Sequence, residues 1–122
     1  MGMSVNGAEN LRLNWWYWRP IAWVTLDMAG DLIEDRYDFE GHPCWEAVHQ
    51  NGGHEWPPDL CYDVAKRLRK CQINDQLDFW EETFNLARRH DEELANYHYD
   101  PELMDDWIGL LEVSYEIGVM FM

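Results

Sequence analysis

Hydrophobic positions along this chain recur at two spacings, and the change between them marks the elements. From Leu11 to Trp18 an aromatic-rich run alternates imperfectly between apolar and polar residues, which predicts a strand. After Pro20, Ile21, Val24, Met28 and Leu32 return every three or four residues. That period predicts a helix over about 20–34, with the proline in the first turn, where its missing N–H costs least. Residues 35–42 show no period, Pro43 opens a short helical piece to about 50, and Asn51-Gly52-Gly53 breaks it.

The cleanest amphipathic segment starts at Pro57-Pro58-Asp59. Leu60, Cys61, Val64, Ala65, Leu68 and Cys71 share one face, with Lys66, Arg67, Arg69 and Lys70 on the other. Asn74 is placed to cap a long helix reaching about Ala95. Asp100-Pro101 starts a last helix that Gly118 ends, and Val119 to Met122 remain as an apolar tail. The fold class expected is mainly α, within α+β: a compact domain of four to five helices. A two-stranded ribbon would join the N- and C-terminal segments, by pairing of the tail with residues 11–18. A lone pair is marginal in water and would depend on helical cover. Residues 1–10 are expected to be a flexible N-terminus and 11–122 a single compact domain.

Composition supports a folded body. The chain has 122 residues, 47% of them hydrophobic, with 8 Trp, 6 Tyr and 4 Phe, enough to bury a core without bridges or metals. Three cysteines, Cys44, Cys61 and Cys71, do not form the even set of a secreted disulfide framework. No signal-peptide pattern and no long apolar run occurs, so the expectation is a cytoplasmic protein that does not enter the membrane.

Charge is the most unusual property of the chain. The 24 acidic residues exceed the 9 basic ones, giving a formal charge of −15. Duplex DNA carries one negative charge per roughly 1.7 Å of axis, so this excess matches on the order of 25 Å of duplex. Such a charge repels nucleic acid and attracts basic protein surfaces. Its most patterned part lies in the last helix, where Glu102, Asp105, Asp106, Glu112 and Glu116 fall within about a third of the circumference, opposite Leu103, Trp107, Leu110 and Leu111. No Lys or Arg interrupts the row, so these five carboxylates are the candidate partner-binding set. The preceding helix is also acidic, but Arg88 with Glu92 and Arg89 with Glu93 have the i,i+4 spacing of ion pairs, and that face reads as ordinary surface.

Other chemistry is thinner. His42, Cys44, His49 and His54 are candidate zinc ligands, with Cys61 nearby. Their spacing matches no familiar finger or ribbon, and Cys61 sits on an apolar helix face. No cofactor other than zinc is suggested. His54-Glu55 begins like a zincin motif, but prolines follow at 57 and 58. Trp15, Trp16, Trp18 and Trp23 would serve as a sugar platform only if exposed together, and large aromatics more often form core. No catalytic residue emerges, and a non-enzymatic protein is the expectation.

Three short motifs add a resemblance: Trp16-Tyr17-Trp18-Arg19-Pro20, the Asn51-Gly52-Gly53 break before an Ala- and Leu-bearing helix, and the closing Ser114 to Val119 run. Together they resemble a group of small bacterial and phage-borne acidic proteins of similar size, across nearly the whole chain. No function comes with that group, so the resemblance implies no site residues. It is compatible with an inhibitor or decoy that occludes a basic, nucleic-acid-binding surface of a partner, the style of phage anti-defence proteins such as anti-CRISPR proteins. A toxin-neutralising immunity protein and a small zinc-stabilised housekeeping domain are the alternatives. The expected partner is accordingly a basic protein surface, on a nucleic-acid-binding bacterial defence protein or a toxin.

Overall fold

The computed structural model describes residues 2–49 and 52–122. The chain runs β1 (Gly2–Asn6), β2 (Asn10–Asn14), α1 (Trp15–Ile33), α2 (Cys44–Ala47), β3 (His54–Trp56), α3 (Pro58–Ile73), α4 (Gln76–His90), α5 (Pro101–Val113) and β4 (Val119–Phe121), with a 3-10 turn at Glu92–Leu94. The expected class, mainly α with a small sheet, is the one observed. The strands form one antiparallel sheet in the order β2-β1-β4-β3. None of the described helices is long and apolar enough to cross a membrane.

The sheet differs from the expected ribbon in an instructive way. The first ten residues, expected to be flexible, contain β1, which pairs with β2 through Met3↔Leu13 and Val5↔Leu11. Met3, Val5 and Leu13 are buried, so one face of this hairpin belongs to the core. The C-terminal tail does join the N-terminal segment, but its partners are β1, at Val5↔Phe121, and β3, at Trp56↔Val119. Gly118 makes this possible: its φ is 79°, and a Cβ there would lie 2.4 Å from the Trp56 carbonyl oxygen.

The strand expected over 11–18 stops at Asn14, whose side chain accepts the Trp16 N–H and caps α1. Pro20 therefore lies inside the helix, not at its start. Proline has no N–H to give to the carbonyl four residues back. The orphaned Trp16 oxygen instead accepts the backbone N–H of His98 at 2.8 Å, which ties the segment before α5 to α1.

Helix α3 packs between α1 and α5, and α4 folds back on α3. Asn74 ends α3 rather than starting α4, and Asp75 makes the turn with a left-handed φ of 61°. The core centres on Trp18, Trp56, Trp107 and Phe121, with the Trp18 and Trp107 rings edge to face at 5.1 Å. Each of these three core indole N–H groups has a partner: Trp18 donates to Val48 O, Trp56 to Cys44 O, and Trp107 to Thr25 Oγ1. Satisfying these donors is what lets three tryptophans sit in one dry core.

Candidate functional site

The acidic row of α5 is less uniform than its sequence. Glu102 and Asp106 are exposed on the helix. Asp105 and Glu112 are not free: Arg69, reaching across from α3, donates to Asp105 Oδ1 at 2.6 Å and to both oxygens of Glu112. Hydrogen bonds from Arg69 and then Gln72 hold the Asp105 carboxyl below its ordinary range. Glu116 lies past the end of α5, in the turn leading to β4, so it leaves the stripe. The helix was expected to run to Gly118, but Ser114 is buried and its hydroxyl accepts the Ala8 N–H at 3.1 Å, closing α5 at Val113.

The preceding helix, expected to pair its own charges, behaves oppositely. α4 ends at His90, where Asp91 turns extended and caps the 3-10 turn carrying Glu92 and Glu93. Arg88 points instead at the Ala95 carbonyl and the Asn85 side chain. Neither expected i,i+4 pair forms among the described residues. At the other end of α4, the Glu81 carboxyl is pushed above its ordinary value, first by partial burial and then by Asp78, Asp100 and Glu82. The half-buried Tyr99 phenol, packed on Trp80, is raised first by desolvation and then by Glu81, Asp78 and Asp100. Among the described residues no cation pairs with Asp78, Glu81, Glu82 or Asp100. Asp100 caps α5, so the crowded carboxylates continue directly into Glu102. Phe79, 70% exposed, projects from the same turn of helix. This α4–α5 edge is where acidity is concentrated and uncompensated.

The basic cluster of α3 is divided among three tasks. Arg67 crosses to Asp31 and the Met28 carbonyl on α1, and Arg69 clamps α5. Only Lys66 and Lys70 stay exposed, beside an open groove of about 500 Å³ lined also by Tyr62, Ala65 and Ile73. The tryptophans of α1 are similarly dispersed: Trp18 is core, Trp15 lies under the Arg19 guanidinium, and Trp16 and Trp23 pack against Tyr97. They form no common platform.

Of the four candidate zinc ligands, the structure brings two together. His42 and His54 stand ring to ring, 4.4 Å between centroids, and Asp38 joins them. Cys44 stays out of this group because it begins α2 facing the core, where burial pushes its thiol up to about 11. Cys61, pushed up by burial to about 12, is likewise a protonated core thiol. His49 lies elsewhere, its pKa lowered by burial and by Arg19. Asn51, part of the loop between these histidines, falls outside the described residues. Asp38 carried a signal in hindsight: an Asp four residues before a His, with Gly41 between them, is the pattern of a tight turn that pairs the two side chains.

Comparison of the chain with protein-family models, with curated proteins and with solved structures finds no match.

Proposed function

We propose that this protein is a non-enzymatic acidic binder, an inhibitor or decoy that covers a basic, nucleic-acid-binding surface of a partner protein. The observation that carries the reading is the α4–α5 edge, where Asp78, Glu81, Glu82 and Asp100 crowd one another without a paired cation among the described residues. Keeping like charges close costs stability. A surface that opposes its own stability is better explained by a complementary partner than by solubility alone. Glu102 and Asp106 extend the contact set; Asp105 and Glu112 hold α5 to α3 through Arg69, and Glu116 is peripheral.

Mechanistically, the net charge of −15 steers encounter with a cationic surface, and Phe79 supplies apolar contact that slows release. The chain carries free thiols, which fits action in the cytoplasm beside partners that handle nucleic acid. The test is affinity capture from a bacterial lysate at low salt, with duplex DNA as competitor. The expected result is retention of basic nucleic-acid-binding proteins that duplex DNA displaces. Retention of no basic protein, or of proteins that DNA leaves in place, would overturn the proposal; capture of a toxin would identify the protein as an immunity factor.

A further inference from the structure

We infer that Asp38, His42 and His54 form a binding site for a divalent transition metal of the zinc type, with one coordination position left open to solvent. Two independent parts of the fold create it. In the loop after α1, Tyr37 and Pro43 bridge, the Asp38 N–H donates to the His42 carbonyl, and Gly41 turns with φ 85°. This puts Asp38 Oδ2 3.2 Å from His42 Nδ1. His54, the first residue of β3, is fixed in register opposite Phe121 of β4 and presents its ring to His42.

One ligand atom from each residue lies within 4.8 Å of the others. Zinc with ligands at about 2.0–2.2 Å needs them roughly 3.4 Å apart, so side-chain rotations of about 1 Å close the site. Asp38 is oriented for this: its Oδ1 accepts the N–H groups of Glu40 and His42, leaving Oδ2 on the histidine side. Two imidazoles and one carboxylate suit zinc and its neighbours in the first transition row; calcium and magnesium favour all-oxygen sets. The Glu40 carboxylate, 3.7 Å from His42 Nδ1, adds negative charge beside the site. His42 remains 44% exposed at its side chain, so the fourth position faces water. A metal here would pin the loop before α2 to the sheet, in a stretch whose only helix among the described residues has four residues.

The experiment is calorimetric titration of the full chain with zinc chloride, followed by thermal denaturation with and without the metal. The expected result is one equivalent bound and a thermal midpoint raised by roughly 10 °C at a hundredfold excess over Kd. His42→Ala and His54→Ala each weaken binding by at least roughly tenfold, while His49→Ala, His90→Ala and Cys44→Ser leave it unchanged. Asp38→Asn keeps an oxygen for the two N–H groups and serves as a folded variant with weakened binding should a histidine variant fail to fold. Cobalt in place of zinc gives the spectrum of a nitrogen and oxygen site, without thiolate charge transfer. Absence of one-to-one binding, equal stabilisation by magnesium or calcium, or dependence on Cys44 or His49 overturns the inference.

Discussion

Replacing Thr25 by valine removes one oxygen from the centre of the core and leaves the Trp107 indole N–H facing carbon. Thr25 and Trp107 are both fully buried. The threonine hydroxyl donates to Ile21 O at 2.7 Å and accepts from Trp107 Nε1 at 3.1 Å. Ile21 O retains its helical N–H donor, so the loss falls on the indole. A buried donor left unpaired costs about 1–3 kcal/mol, and the added methyl of valine offsets a fraction of that. The net expectation is about 1–2 kcal/mol. For 122 residues, an unfolding entropy of about 2.1 cal/mol/K per residue converts this into a fall in Tm of roughly 4–8 °C. Urea denaturation followed by tryptophan fluorescence should show a lower midpoint at unchanged slope. The bond itself is isolated by a double-mutant cycle with Trp107→Phe: once the donor is gone, Thr25→Val should cost about 1 kcal/mol less than in the native background. A neutral Thr25→Val, or equal costs in both backgrounds, would refute the packing argument for the tryptophan core.

Gly118→Ala should destabilise by at least about 2 kcal/mol, because the left-handed φ and the Trp56 oxygen both oppose a Cβ, while Gly109→Ala, in open space on α5, should gain about 0.5–1 kcal/mol. Denaturation midpoints of the two variants check this, and midpoint shifts of the same sign would contradict it. Glu81→Gln should stabilise by a few tenths of a kcal/mol at neutral pH. The sign follows from a carboxyl whose folded pKa is raised: its ionised form costs stability at high pH, and the cost vanishes as pH falls below the ordinary glutamate range. Asp31, Asp38 and Asp105 are lowered instead, so the stability they contribute is present above the ordinary aspartate range and lost as pH falls through their folded values. Urea midpoints of Glu81→Gln and wild type should therefore differ at pH 7 and converge near pH 4; a gap independent of pH would contradict the assignment.

The helices were legible because each has a one-dimensional signal: the apolar face of α3, the Asp100-Pro101 start of α5 and the period of α1 all survive folding. What was not legible depended on groups distant in sequence. The turn of α1 before Pro20 needs His98 to take the Trp16 carbonyl, and no local pattern announces that donor. β1 is too short and polar to stand out until Phe121 and Leu13 flank it. The acidic row of α5 looked unbroken because Arg69 lies on another helix, and periodicity cannot tell which neighbour a cation will reach. The crowding at Asp78, Glu81 and Glu82 did leave a trace, since no basic residue occurs between Asn74 and Ala87. Its significance came only when Asp100 was brought beside it.

Two triple variants with the same change in net charge separate a specific docking face from bulk acidity. Asp78→Lys/Glu81→Lys/Glu82→Lys reverses the α4–α5 edge, and Glu34→Lys/Asp35→Lys/Asp63→Lys reverses exposed carboxylates elsewhere. Affinity for a captured basic partner, measured across a salt series, should collapse with its salt dependence for the first variant and fall only modestly for the second. Equal losses from both would show that net charge alone is at work and that the α4–α5 edge is not the docking face.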